Sequence, residues 1–346
     1  MIKPKVAVLG VQVPFTRGGA EILCDKLIYE LRIRGYQTDL VTLPYIDHRK
    51  EGAFSEIRAW QELDLSAADI VIATKFPSYF INHPNKSLWL VHQHRQMYEL
   101  LGTRFSDFQV DETSEAIRRK LMLMEIEAIN SCKVKATISN NVSARLSRFL
   151  EIDSGPILPP LPLGNRYHNN CKGEYILSVG RLCSIKRADL IVKAMPHIPA
   201  PARLKIVGVA DETNYKEYLT NEIKKHNLST RIDFLGRVSD EELLELYANA
   251  HSVFYGPFDE DYGFVTLEGL MSSKPIVTCT DSGGVLGFIK DGVNGLVTEP
   301  TSEAVARALT SLFSDNALYD LLITHGSRDL CIPSWDEVIN DLLALK

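Results

Sequence analysis

Short apolar runs rich in β-branched residues alternate with helical patterns along almost the whole chain, and this alternation most constrains the fold. Lys5–Leu9 (KVAVL) is typical of a buried strand, and Ala20–Arg34 then places apolar side chains at helical spacing. The same alternation recurs later, with strand patterns at Ser87–Val91, Tyr175–Val179 and Ile276–Thr278. Strands separated by helices form parallel sheets covered on both faces. We therefore expect an α/β protein.

One segment interrupts the alternation. Residues 155–166 read GPILPPLPLGNR, with four prolines and two glycines, which suit neither a helix nor a central strand. A chain of 346 residues is long enough for two domains. We predict two doubly wound, Rossmann-like domains over residues 1–165 and 166–325, followed by a last helix within 326–346. Ligands of such sheets bind beyond the carboxyl ends of the strands, so the loops there are the candidates for function.

Composition excludes several classes of protein. The chain is 45% apolar with a formal net charge of −6, which argues against disorder and against nucleic acid as the main partner. It has no apolar run of membrane-spanning length and no signal-peptide pattern, and its six scattered cysteines suggest reduced thiols, so we expect a cytoplasmic protein. Residues 115–150 are locally basic, and both a peripheral contact with a membrane surface and an ordinary solvated helix face stay open.

Two loops place groups that suit an anionic ligand. The loop Gly10–Glu21 lacks the G-x-G-x-x-G spacing, but it sets Gly18-Gly19 before a helix N-terminus, where either an anion or a simple turn fits. The loop Val179–Arg187 delivers Arg181 and Lys186 after a predicted strand. A rigid guanidinium with a mobile ammonium suits a diphosphate, although two solvated cations are the alternative.

A third loop, Tyr255–Val277, carries the strongest pattern. Seven residues separate Glu260 from Glu268, and Gly263-Phe264-Val265 between them offer backbone N–H groups where a helix begins. Carboxylates are good acceptors for paired sugar hydroxyls. One glutamate on the loop and one on the helix therefore suit different parts of an extended, hydroxyl-rich ligand.

The order of these motifs resembles the retaining glycosyltransferases of family 4. GGAE at 18–21, VGR…K at 179–186 and E-x7-E at 260–268 carry the resemblance. It extends over essentially the whole chain through VHQHR at 91–95, SGGVLGFIKDGVNGLV at 282–297 and SWDEVINDLL at 334–343. It implies a GT-B type fold, in which two Rossmann-like domains face a central cleft and the helix of 326–346 returns toward the first domain.

The resemblance also implies residue roles. Arg181 and Lys186 would hold the donor diphosphate, Glu260 the transferred sugar, and Glu268 the ribose. Gly18 and Gly19 would face the donor phosphates. The sugar would be contacted by His92 and by the backbone of Gly263, Phe264 and Val265. The base would be bordered by Arg237 and Val238. The catalytic set is then His92, Arg181, Lys186 and Glu260.

The implied reaction moves a hexosyl group, with retention, from a nucleoside diphosphate sugar to a saccharide or lipid-linked saccharide acceptor. We expect no metal and no other cofactor, and a place in polysaccharide or glycoconjugate synthesis. The sequence departs from the family pattern at Gly208-Val209-Ala210, where a second glycine is commoner, and this affects the detail of base contacts.

Five alternatives remain. Asp259-Glu260-Asp261 matches the Asp-x-Asp of metal-dependent glycosyltransferases. A hydrolase could use Glu260 and Glu268 as acid and base, and related folds include sugar phosphorylases and epimerases. The last alternative is a non-catalytic subunit that binds a nucleotide sugar. His92 and His94, which we expect to point the same way from a strand end, make a poor zinc site without further ligands.

Overall fold

The structure, a computed structural model, describes residues 3–14, 17–45, 52–210, 213–328 and 330–345. Its contacts divide the chain into two compact units. The first unit extends to Pro162 and includes the C-terminal segment from Ile332, and the second unit is Leu163–Cys331. Within the described residues each unit holds one six-stranded parallel sheet.

The first sheet has the strand order β2-β1-β3-β4-β5-β6. Its strands are β1 (Val6–Gln12), β2 (Thr38–Pro44), β3 (Ile70–Lys75), β4 (Lys86–His92), β5 (Val134–Thr137) and β6 (Gly155–Pro156). Its helices are α1 (Gly19–Ile33), α2 (Ala53–Glu62), α3 (Glu112–Asn130) and α4 (Asn140–Leu150), and α11 (Trp335–Leu343) joins them from the C-terminus.

The core of the first unit follows from helical spacing on α1 and from apolar runs in the strands. Leu27 and Leu31, one turn apart on α1, and Val8 and Leu9 of β1 are fully buried. Each such side chain contributes about 1.5–3 kcal/mol when removed from water. Trp335 of α11 packs edge to face with Trp89 of β4, with the ring centroids 6.3 Å apart. This contact explains why the last helix belongs to the first unit.

The second sheet has the order β12-β11-β10-β7-β8-β9. Its strands are β7 (Tyr175–Val179), β8 (Arg203–Val207), β9 (Ile232–Gly236), β10 (Ser252–Phe254), β11 (Ile276–Cys279) and β12 (Gly295–Thr298). Its helices are α5 (Ala188–Ala194), α6 (Thr213–Lys225), α7 (Asp240–Ala248), α8 (Phe264–Met271), α9 (Ser302–Ser314) and α10 (Asn316–His325).

The two doubly wound parallel sheets agree with the α/β prediction, and the contacts move both domain boundaries by a few residues. The first lies after Pro162 instead of residue 165, because Leu163 begins a turn that packs with the second unit. The second lies after Cys331 instead of residue 325. Helix α10 is held to the second sheet, since Tyr319 is buried and its hydroxyl donates to the carbonyl of His251 at 3.1 Å.

Candidate functional site

The strand order of the second sheet creates a crevice between β7 and β10. From β7 the chain proceeds outward through β8 to β9, and it then returns to the other side of β7 to form β10, β11 and β12. The loops that leave β7 and β10 therefore diverge, and this switch point is where doubly wound sheets bind ligands. Arg181 and Lys186 from the first loop and Tyr255 and Gly256 from the second line the crevice.

Lys186 lines this crevice and contacts the loop that follows β10. It ends a turn of 3₁₀ helix, Ser184–Lys186, and its Nζ donates to the carboxylate of Glu260 and, at 3.2 Å, to the hydroxyl of Tyr255. The side chains of Lys186 and Glu260 are 19% and 15% exposed, so the pair is shielded but still reaches solvent. Burial, together with the charge of Glu260, raises the pKa of Tyr255 well above its usual value, which keeps its hydroxyl protonated. The geometry thus places a cation, a carboxylate and a phenol together.

Two glycines permit the backbone of this region. A Cβ on Gly208, which follows β8, would lie 1.9 Å from the carbonyl oxygen of Gly180, so the loops after β7 and β8 approach as closely as two backbones can. Gly263 has φ +97° and begins α8, and a Cβ there would lie 2.8 Å from Cγ2 of Val285. The amides of Phe264 and Val265 then lie in the first turn of α8, where N–H groups have no intrahelical acceptor.

Glu268 has a different environment from Glu260. It is the fifth residue of α8, is 7% exposed, and accepts hydrogen bonds from the hydroxyls of Tyr167 at 3.2 Å and Tyr247 at 2.7 Å. Burial raises its pKa, although the two phenols favour the ionised form. The seven-residue spacing therefore separates an accessible carboxylate from a buried one. No pattern in the sequence identifies Tyr167 and Tyr247 as its partners.

Arg237 and Val238 follow β9 at the edge of the sheet. Gly236, with φ +66°, ends β9, and Arg237 is exposed. Because β8 lies between β9 and β7, these two residues are one strand further from the crevice than Gly208. The structure thus brings Arg181, Lys186 and Glu260 together and leaves Arg237 and Val238 at the side.

The predicted anion site in the first unit is occupied by the chain's own carboxylate. The N–H of Gly18 donates to Glu21 at 2.8 Å, and Lys75 Nζ pairs with the other oxygen of Glu21 at 2.7 Å. Burial disfavours the charge of Glu21, but Lys75 and the Gly18 N–H outweigh it and lower the pKa. Gly19 beside them is exposed. Phe15 and Thr16 of the same loop lie outside the described residues.

The two histidines that follow the first sheet differ in environment. His92 ends β4 beside Lys75 of β3, is half-buried, and has Nδ1 2.8 Å from the carbonyl of Gln93. His94 is buried instead, with Nδ1 3.1 Å from the hydroxyl of Tyr45 and its ring 4.9 Å from that of Phe76. Burial lowers the pKa of His94 to about 4, with a smaller contribution from His92. The two rings thus lie in different surroundings, since β4 ends at His92 and His94 follows it in a loop.

The basic stretch 115–150 is not one exposed positive face. Arg145 is buried and lies 3.3 Å from Glu99, and Arg118 donates to the carbonyl of Met97 at 2.7 Å. Arg119 and Lys120 remain exposed on α3. Over the parts of the chain that the structure describes, helices are too short or too polar to cross a membrane, and no three His, Cys, Asp or Glu side chains are placed to hold a metal ion.

Comparison with known sequences finds similarity over the second unit. Residues 165–328 match the family model described as Glycosyl transferases group 1. An uncharacterised glycosyltransferase of Methanocaldococcus jannaschii is 28% identical over 170 residues, which are 49% of this chain and 43% of that protein. The D-inositol 3-phosphate glycosyltransferase of Salinispora arenicola is 26% identical over 50% of this chain and 40% of its own. The chain spans less than half the length of the curated relatives it matches.

Comparison with solved structures covers both units. The sucrose-phosphate synthase of Thermosynechococcus elongatus has a TM-score of 0.75 at 18% identity, over 96% of each chain. Anabaena Alr3699/HepE, in complex with UDP and glucose, has a TM-score of 0.71 at 16% identity, over 99% of this chain and 100% of that one. At such identities the likeness shows the fold alone, which is of the GT-B type with two Rossmann-like units.

Proposed function

We propose that this protein is a retaining glycosyltransferase that moves a hexosyl group from a nucleoside diphosphate sugar to an acceptor hydroxyl. The observation that carries the proposal is the crevice lined by Arg181 and Lys186, in which Lys186 Nζ donates to Glu260. Cations beside an accepting carboxylate suit a ligand that carries both phosphates and hydroxyls. The group 1 domain over residues 165–328 supports the same class of reaction.

In the proposed reaction, Arg181 and Lys186 bind the diphosphate and stabilise the negative charge that develops as its bond to the sugar breaks. Glu260 accepts hydrogen bonds from hydroxyls of the sugar. The backbone N–H groups of Gly263, Phe264 and Val265 donate further hydrogen bonds to the sugar. The acceptor attacks on the face from which the diphosphate departs. A phosphate oxygen then takes the acceptor proton, so neither a protein base nor a metal ion is required.

The remaining residues keep supporting roles in this proposal. Each carboxylate oxygen can accept about two hydrogen bonds, and Tyr167 and Tyr247 each donate one to Glu268. Glu268 therefore keeps lone pairs that accept hydrogen bonds from the ribose hydroxyls. Arg237 and Val238 border the base from the sheet edge. The amide of Gly18 already donates to Glu21 and takes no part in this proposal. We propose synthesis of a polysaccharide or glycoconjugate as the role of the enzyme.

Thermal unfolding with a panel of nucleotides tests this proposal. We expect one family among UDP, GDP, ADP and their sugar conjugates to raise the midpoint without sensitivity to EDTA, because ligand at 100 times its Kd stabilises by about 2.7 kcal/mol. Lys186→Ala should lose most of this shift. Lys216→Ala, which removes an exposed cation of α6, is the matched control and should keep it.

The other outcomes favour the alternatives. A shift abolished by EDTA favours a metal-dependent enzyme that uses Asp259 and Asp261. No shift with any nucleotide contradicts the proposal and favours a hydrolase or a phosphorylase acting on unactivated sugars. A sugar nucleotide that binds and is epimerised favours an epimerase, and one that binds without any turnover favours a non-catalytic subunit.

For the acceptor we propose a lipid-linked saccharide, with the exposed face of α3 against an anionic membrane. Leu123 is 70% exposed on that helix beside Arg119 and Lys120, and Val110 just before it is 91% exposed. Apolar side chains flanked by cations suit a lipid surface. Leu123→Glu should reduce co-sedimentation with anionic vesicles at low salt, and wild-type protein that does not co-sediment would contradict the proposal.

A further inference from the structure

Arg187, the residue after Lys186, has a backbone conformation that few residues other than glycine adopt. Its φ is +52° and its ψ is 40°, in the left-handed region. A non-glycine residue persists there only where the surrounding structure compensates for the strain, and such positions cluster at functional sites. The side chain of Arg187 shows what compensates here.

The guanidinium of Arg187 connects two loops. Nε donates to the carbonyl of Gly256 at 2.8 Å, and Nη2 donates to that of Pro257 at 2.7 Å. Nη1 and Nη2 also bind Asp281 through both of its oxygens, at 2.8 and 2.6 Å. The side chain is 11% exposed. Such two-pronged, charge-assisted contacts are the strong and directional ones, and lysine does not reproduce them.

Backbone hydrogen bonds continue the connection as far as Glu260. The N–H of Phe258 donates to the carbonyl of Ile185 at 2.9 Å, and that of Asp259 donates to the carbonyl of Asp281 at 2.8 Å. The N–H of Glu260 donates to Ser282 at 3.2 Å, and the carbonyl of Glu260 accepts from Gly284 at 2.7 Å. The loops after β7, β10 and β11 are therefore joined on both sides of Arg187.

We propose that Arg187 is a positioning residue that holds the carboxylate of Glu260 at Lys186. Arg187 fixes the start of the loop that leads to Glu260, and its neighbour Lys186 contacts the end of that loop. Loss of the guanidinium frees the loop to move and separates the carboxylate from the ammonium. Given the proposed function, on which this inference rests, Arg187 favours the sugar-bearing nucleotide over the bare nucleoside diphosphate.

Arg187→Lys tests the inference, with Arg231→Lys as the matched control. Arg231 also joins backbone carbonyls, those of Ala202, Met195 and Ile198, but it does so at the opposite end of the sheet, where β9 begins. Amide hydrogen exchange measures the loop directly. We expect Arg187→Lys to accelerate exchange at Phe258, Asp259 and Glu260 by about tenfold or more, because local opening costs less there. Arg231→Lys should leave these three amides unchanged.

Binding of UDP and UDP-glucose measures the functional consequence. Arg187→Lys should weaken UDP-glucose by about tenfold, the loss expected of one charge-assisted hydrogen bond. UDP, which has no sugar for Glu260 to hold, should change much less. Equal losses for both ligands, or unchanged exchange at residues 258–260, would overturn the inference.

Two further results keep the test decisive. If Arg187→Lys does not fold, Arg187→Gly replaces it, because glycine accepts φ +52° without strain and still lacks the guanidinium. If wild-type protein binds neither UDP nor UDP-glucose, UDP-glucose is excluded as the donor. The exchange measurement then decides the positioning role without any ligand.

Discussion

Among single residues, a buried carboxyl group in the first unit links stability to pH. Glu125 of α3 is fully buried and accepts hydrogen bonds from the hydroxyls of Tyr79 and Tyr98. Burial raises its pKa to about 7, although both phenols favour the ionised form. The folded state therefore binds a proton there at a pH at which the unfolded chain, with its ordinary value of 4.5, does not.

This raised pKa predicts a pH-dependent effect of Glu125→Gln. The contribution of Glu125 to stability is fully present below pH 4.5 and is lost as the pH rises through 7. Glu125→Gln removes the ionisable group and with it this loss of stability. Relative to wild type, the free energy of unfolding of the variant should therefore rise by up to about 3 kcal/mol between pH 4.5 and pH 8. Urea unfolding at both pH values measures the change. Glu127→Gln, at an exposed position of the same helix, is the control, and an equal effect of Glu125→Gln at both pH values would refute the prediction.

The predicted site residues show how far local pattern reaches at this scale. The family resemblance implies that Lys186 and Glu260 hold parts of one donor, and in the structure the two side chains contact each other. It does not predict that Glu268 is buried by Tyr167 and Tyr247. Tyr167 lies 101 positions away along the chain, so no spacing rule connects the two residues. Local pattern does not predict the role of Arg187 either, because its ion-pair partner Asp281 lies 94 positions further along the chain.

At the scale of elements, the start of α8 depends on one backbone conformation. Gly263 has φ +97°, and a Cβ there would lie 2.8 Å from Cγ2 of Val285. Gly263→Ala should lower the free energy of unfolding by about 1–3 kcal/mol. Both the strained backbone of an alanine at this φ and its close contact with Val285 destabilise the folded state. The substitution should also weaken nucleotide binding, since the amides of the first turn of α8 shift with it.

Gly287→Ala supplies the control for this prediction. Gly287 lies in the same unit, its φ is outside the left-handed region, and a Cβ there meets no atom within 4 Å. Chemical denaturation of both variants, with titration of the stabilising nucleotide, separates the two effects. A Gly263→Ala protein as stable as wild type would show that α8 begins without the glycine conformation.

Strands were easier to predict than helices at this scale. Apolar runs locate β1, β4, β7 and β11 to within a few residues, because buried parallel strands leave a nearly continuous apolar pattern. Helix α4 is not predicted. Its buried face mixes Val142, Leu146 and Leu150 with Arg145, and a buried arginine interrupts the apolar periodicity. The ion pair of Arg145 with Glu99, which permits this burial, appears only in the fold.

At the scale of the whole molecule, strand order distinguishes the two units. Both are doubly wound, yet the first sheet reverses direction between β1 and β3 and the second between β7 and β10. Only the order shows which loops diverge, and hence why Arg181, Lys186 and Tyr255 share a crevice. The C-terminal helix likewise depends on a contact between residues that are distant in the chain, because Trp335 packs on Trp89.

Local sequence is enough to predict the α/β class, the two-unit division near the proline-rich segment, and the loops that carry Arg181, Lys186 and Glu260. These follow from local periodicity, turn chemistry and the order of motifs, which neighbouring residues encode. Long-range packing sets the difference in burial between Glu260 and Glu268, the contact of Glu21 with the Gly18 amide, and the contacts by which Arg187 joins the loops around Glu260. Those outcomes depend on burial and on partners distant in the chain, where desolvation and geometry, not spacing, select the contact.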